Sequence, residues 1–144
     1  MSDKFFVDTN ILVYAHDRSA GAKHHGAQVL LQRLWDSGQG VLSTQVLQEL
    51  CVNLRRKVRH PLPADEVRQL VLDYSTWEIV TNTPESVIQA LDIEMRYKTS
   101  FWDALILQAA KSSGASILYS EDLAANQRYG AIQVVNPLID SISS

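Results

Sequence analysis

Four acids carry the chemical interest of this chain: Asp8, Glu49, Asp103 and Asp122. Carboxylates about 4 Å apart repel by roughly 4 kcal/mol at an effective dielectric of 20. If these four converge, a divalent cation relieves that repulsion, and an all-oxygen donor set favours Mg²⁺ or Mn²⁺. Each acid also has an ordinary reading. Asp8 follows an apolar run and precedes a helical pattern, which is where an N-cap stands. Asp122 sits where a turn residue would. Glu49 lies at the margin of a helical stripe, where a surface glutamate is common. Asp103 is in the first turn of a helix that is apolar almost all round. The helix dipole favours an acid there by only about 0.3–1 kcal/mol, whereas an unpaired buried carboxylate costs several kcal/mol. A buried Asp103 would therefore need a cation or a strong donor beside it.

The elements that must position these acids follow from periodicity and punctuation. Phe5, Phe6 and Val7 form an apolar run too short for a helix, so residues 5–7 read as a strand and the polar residues after it as a helix start. That helix continues through Ile11, Leu12, Tyr14 and Ala15 until residues 17–21 break it. A second helix is predicted over 23–36, with Val29, Leu30, Leu34 and Trp35 on one side and Gly38 and Gly40 after it. Val41 and Leu42 suggest a buried strand. Ser43 or Thr44 can cap a helix that carries Leu47, Leu50, Cys51, Leu54 and Val58 and ends before His60. Asp65 and Glu66 suit the start of a helix reaching Tyr74, and 77–80 is a strand candidate. Thr83, Pro84 and Glu85 combine a cap, a first-turn proline and an acid, opening a helix through Met95. Ser100 can cap the apolar helix around Asp103, which Gly114 can stop. Residues 117–119 and 132–135 complete the strands. Strands alternating with helices imply parallel pairing, so the expected fold is α/β: three layers, α/β/α, around a central mostly parallel sheet. Such sheets carry their sites at the carboxyl ends of strands, where Asp8 and Asp122 are expected.

The chain has 144 residues, suiting one domain over 1–140 with a frayed tail at 141–144. No apolar run approaches the roughly 20 residues of a membrane span, and the start lacks a signal core, so a cytoplasmic protein is expected. Cys51 is the only cysteine. This excludes an intramolecular disulfide and multi-cysteine metal sites; Cys51 itself reads as a small core residue. The net charge is -3, so any affinity for nucleic acid must be local. The local candidates are Arg55, Arg56, Lys57 and Arg59, read either as phosphate-binding charge or as a solvated helix end. Trp102 reads as core, with base stacking as the alternative. His16, His24, His25 and His60 lack zinc spacing and read as surface or loop residues. Tyr14, Leu30 and Leu34 suit either a docking surface or the core.

Asp8-Thr9-Asn10 after a strand, an isolated Glu49, the run from Phe101 to Ile106, and the run from Leu118 to Leu123 resemble the PIN-domain ribonucleases, in order and spacing, from Phe5 to about Pro137. In length and in the closing Val134-Val135-Asn136-Pro137 the chain resembles the VapC toxins of bacterial toxin–antitoxin pairs. The resemblance implies that Asp8, Glu49, Asp103 and Asp122 hold Mg²⁺ or Mn²⁺, with Asn10 and Ser120 in support. It implies hydrolysis of an RNA phosphodiester leaving a 5′-phosphate, a cognate antitoxin and a homodimer. Residues serving in that way are expected to be ionised at neutral pH. In some relatives a further acid lies beyond the position of Asp122. Here the stretch is Leu123, Ala124, Ala125 and Asn126, so one ion is expected and a second left open. Glu121, which could compensate, is expected to point to solvent.

Two other classes compete. A phosphoacceptor or aspartyl-phosphate phosphatase also starts with a strand ending in Asp8, but Asn10 stands where its second acid belongs, and no lysine follows residues 117–119. A catalytically inactive RNA- or protein-binding module would gain nothing from clustered negative charge.

Overall fold

The computed structural model describes residues 3–123 and 127–138; the expected tail at 141–144, and Ala124, Ala125 and Asn126, lie outside the described residues. Strand β1 (Phe5–Val7) leads into helix α1 (Thr9–His16). A short 3₁₀ turn separates it from α2 (Ala22–Ser37), whose C-cap Gly38 adopts φ 69°. Then come β2 (Gly40–Ser43) and α3 (Thr44–Val52), capped by the Ser43 hydroxyl on Val46 N–H. Helix α4 (Ala64–Tyr74), β3 (Glu78–Val80) and α5 (Pro84–Tyr97) follow. Helix α6 (Phe101–Ser113), β4 (Ile117–Tyr119), β5 (Arg128–Tyr129) and β6 (Ile132–Val135) complete the described elements.

The six strands form one sheet in the order β3-β2-β1-β4-β6-β5. All pairs are parallel except β5 with β6, giving the three-layer α/β/α fold with a mostly parallel sheet. The strands are short and apolar because helices cover both faces: Phe6, Val41, Leu42, Leu118 and Val134 are buried. Leu12, Leu50, Leu54 and Leu107 pack on them from the helices. Gly40 belongs to β2 rather than to the end of α2. A Cβ there would stand 2.3 Å from the Trp77 ring, so only glycine lets that indole lie against the strand.

Local expectations need correction or addition. Helix α3 stops at Val52 and widens into a π turn over Asn53–Lys57. Asn53 Nδ2 donates to Glu49 O at 2.7 Å, competing for the carbonyl an α-helical ladder uses. The two-residue β5 had no periodic signal. In α2, Leu30 and Leu34 are core, whereas Val29 and Trp35 stay partly exposed, so the two leucines are no docking surface. His16 is half-buried against Tyr74, its Nε2 2.7 Å from the hydroxyl, and burial lowers its pKa. His24 Nδ1 likewise lies 2.8 Å from Tyr14 O, while His25 and His60 are exposed. Cys51 is only partly buried, packing against the core.

Candidate active-site cleft

Asp8 ends the β1 register. Val7 pairs with Tyr119, and Asp8 N–H donates to Tyr119 O at 2.9 Å, so the next residues, Asp8 and Ser120, come face to face. Ser120 Oγ donates to Asp8 Oδ2 at 2.8 Å, and Thr9 N–H donates to Oδ1 at 2.7 Å. Asp8 is thus the N-cap of α1, as its ordinary reading had it, and also part of the cleft. The same Ser120 Oγ accepts from Asp122 N–H at 3.2 Å and Leu123 N–H at 3.3 Å. One buried hydroxyl therefore fixes both the carboxylate of Asp8 and the loop carrying Asp122.

The other acids arrive on helices. Glu49, on α3, accepts from Thr9 Oγ1 at 2.6 Å and from Gln45 Nε2 at 3.4 Å. Asp103 is the third residue of α6, and its N–H donates to Ser100 Oγ at 3.1 Å. Asp8, Glu49, Asp103 and Asp122 line one cleft of about 290 Å³ with Asn10, Gln45, Asn53 and Trp102. Asn10 Oδ1 accepts from Glu121 N–H at 3.2 Å, joining α1 to the Asp122 loop.

Burial divides the acids. Asp8 is 6% exposed, whereas Glu49 and Asp103 are half-buried and Asp122 is exposed. Burial pushes the Asp8 carboxyl up to about 7; the bonds from Ser120 and Thr9 oppose this, and the charges of Glu49 and Asp122 add to it. With no cation bound, burial thus opposes ionisation of Asp8 at neutral pH. Burial also raises Asp103, opposed by its bond with Ser100 and reinforced by the charges of Asp122 and Glu49. The demand for a counter-charge, expected at Asp103, falls mainly on Asp8, because the first turn of α6 projects beyond the core.

Among the described residues, no three acids, histidines or cysteines stand close enough to share one ion. The donor set nevertheless suits a hard cation: only oxygens are offered, the acids feel one another's charge, and no Lys, Arg or His lines the cleft to offset it. Mg²⁺ commonly binds through one or two carboxylates and keeps several waters, which is compatible with acids that line one cleft without forming a close cluster of three.

Other expected residues fall differently. Arg55, Arg56 and Lys57 are exposed on the π turn and Arg59 is exposed beyond it; none lines the cleft. Trp102 is 62% exposed at the cleft rather than core. Glu121 does not point freely to solvent. It accepts from Tyr14 OH at 2.5 Å and pairs with Lys23 Nζ at 2.8 Å. Burial raises its pKa, but these two partners outweigh burial and the net shift is downward. Thr9, Gln45 and Asn53 were not picked out from the sequence. The signal available was the spacing of Gln45, Glu49 and Asn53 at steps of four, which puts three polar groups on one helix face.

The fold and cleft define an α/β protein with an acidic site at the carboxyl edge of a parallel sheet. The PIN domain family matches residues 5–130, and the chain belongs to that family. Among solved structures, the chain is similar to Mycobacterium tuberculosis VapC20, described as a sarcin-ricin loop cleaving toxin. Identity is 21% and the TM-score 0.62, over 83% of this chain and 90% of that one. A toxin–antitoxin complex from Klebsiella pneumoniae matches with TM-score 0.68 and 20% identity, over 94% and 98% of the two chains. A DNA-bound VapBC from Salmonella typhimurium matches with TM-score 0.63 and 18% identity, over 92% and 97%. At these identities the likeness establishes a shared fold. No curated protein sequence matches significantly.

Proposed function

We propose that this chain is a metal-dependent endoribonuclease, the toxin of a toxin–antitoxin pair, acting in the cytoplasm as a homodimer. Asp8, Glu49, Asp103 and Asp122 would hold Mg²⁺ or Mn²⁺, with Asn10 and Ser120 as positioning residues and Arg55, Arg56, Lys57 and Arg59 drawing the RNA backbone toward this end of the molecule. The observation that carries this reading is that four acids from four separate elements line one cleft. The toxin assignment draws in addition on what the similar structures are described as being.

When bound, the cation lowers the pKa of a water and offsets charge on the phosphoryl oxygens. The residues supply position. Ser120 and Thr9 fix both oxygens of Asp8, Thr9 Oγ1 turns Glu49 inward, and the Ser120 hydroxyl holds the Asp122 backbone. Glu49 or Asp122 can accept a proton from the attacking water, since both carboxylates line the cleft. Asp8 is a poor phosphoacceptor because it is buried and both its oxygens are engaged, which weighs against the aspartyl-phosphate alternative.

The test is cleavage of a structured RNA in Mg²⁺ or Mn²⁺ by the parent, Asp8→Ala and Asp103→Ala proteins. A loss of at least about 100-fold is expected in each variant, at the upper end of what disturbing a metal site costs. Variants that cut as fast as the parent would refute the assignment. A parent that binds RNA but neither cuts it nor binds Mg²⁺ or Mn²⁺ by calorimetry would instead be an inactive binding module.

A further inference from the structure

The cleft poses a problem of affinity. RNA-binding surfaces ordinarily draw the backbone with Lys and Arg, but no cationic side chain is among the residues lining this cleft, and four carboxylates are. Substrate binding at the cleft itself must draw on something other than side-chain cations. Of the two aromatic rings in the lining, Tyr14 is half-buried with its hydroxyl committed to Glu121, and the Trp102 indole is the exposed one. It is one residue before Asp103, 62% exposed, and part of the lining.

The indole is held. Phe101 meets it edge-to-face, with ring centroids 5.3 Å apart and an interplanar angle of 75°. Trp102 O accepts from Gln45 Nε2 at 3.3 Å, and the same nitrogen reaches Glu49 Oε2 at 3.4 Å. Gln45 therefore ties the segment bearing the indole to one of the acids. Two further lining residues keep unsatisfied hydrogen-bonding capacity: among the described residues, Gln45 Oε1 and Asn10 Nδ2 are buried with no partner. The cleft thus offers an exposed aromatic face in a lining that also holds two amides with uncommitted hydrogen-bonding atoms.

We propose that Trp102 is the stacking platform for one unpaired base of the RNA next to the bond that is cut. This rests on the ribonuclease reading for its substrate, and the experiment separates the two. Every base has a π-face, so the platform tolerates any sequence, and stacking substitutes for the missing cations. A duplex would have to unstack a base to use it, which favours loops and unpaired segments.

The test pairs Trp102→Ala with a set of single-stranded oligoribonucleotides, each carrying one abasic residue, in equilibrium binding with Ca²⁺ present and in cleavage with Mn²⁺. For the parent, one abasic position should weaken binding by about 5- to 100-fold. In Trp102→Ala the same position should have no further effect, and Trp102→Phe should recover part of the loss. Because Trp102 is exposed, the variants should keep the parent's thermal midpoint. Insensitivity of the parent to every abasic position, or effects that simply multiply in the Ala variant, would overturn the proposal. So would a variant that binds RNA as the parent does but self-associates more weakly, since the indole would then be a protein contact. If the parent cuts no RNA yet loses base-dependent binding on Trp102→Ala, the ribonuclease reading falls and the stacking site stands.

Discussion

The floor and the rim of the cleft are built on opposite terms. At the floor, Asp8 is buried, both its oxygens are bonded, and Ser120 between β4 and the Asp122 loop is fully enclosed. At the rim, Asp122 and Trp102 face solvent, and the Asp122 loop is braced by the partly exposed pair of Glu121 with Lys23. Charge at the floor is costly and its geometry fixed; charge at the rim costs little and its bonds compete with water. The same carboxylate chemistry therefore carries a stability penalty at Asp8 that it does not carry at Asp122.

The largest expected effect lies at the floor. Asp8→Asn should abolish cleavage and at the same time stabilise the metal-free protein at pH 8. The folded pKa of about 7 lies above the ordinary value of 3.8, so between these pH values the folded state holds a proton that the unfolded state has released. Stability then falls as pH rises from about 4 to about 7, by an amount on the order of 4 kcal/mol in all. Asparagine removes that slope. Thermal unfolding across this range, with and without Mg²⁺, measures it; a parent whose metal-free stability rises with pH in this window would erase the distinction between floor and rim.

Ser120→Ala comes next. It leaves Asp8 Oδ2 and the N–H groups of Asp122 and Leu123 without their partner. Stability should fall by about 1–3 kcal/mol and activity by about 10- to 100-fold. The Asp8 pKa should rise further, because the bond that lowered it is gone. A pH-rate profile displaced to higher pH separates this from simple unfolding.

At the rim the effects shrink. Glu121→Gln removes the charge facing Lys23, and since such pairs contribute at most about 1 kcal/mol, cleavage should fall by less than about fivefold. The difference from the parent should fade at high salt. Smaller still per site, Arg55→Gln and Arg56→Gln should leave the cutting step intact and weaken RNA binding. For each phosphate no longer neutralised, the slope of log affinity against log salt should become shallower by about 0.7. An unchanged slope in the double variant would assign the π turn to a solvated helix end.

Local signals in the chain anticipated much of this. The caps at Asp8, Ser43, Thr83 and Ser100, the stop at Gly114 and the apolar runs of β1, β2, β4 and β6 all act within a few residues, and sequence carries such information directly. Trp102 and Asp103 were read as more buried than they are, because the residues around them are apolar on every side while the first turn of α6 extends past the layer it packs on. Glu121 looked like a solvent-facing loop residue because Tyr14 and Lys23, which hold it, belong to the far end of the chain. The break in α3 coincides with Asn53, whose side-chain amide and backbone N–H both reach back to Glu49 O.

What the sequence by itself determined is the order of the elements and the delivery of acids to the ends of β1 and β4 and to the first turn of α6, because capping, turn chemistry and hydrophobic period are short-range. Which acid would be buried, and so carry the shifted pKa, was decided only by tertiary structure. The parallel register that sets Val7 beside Tyr119 brings Ser120 over Asp8 and seals it. Burial depends on what distant segments place around a group, and no local pattern encodes that.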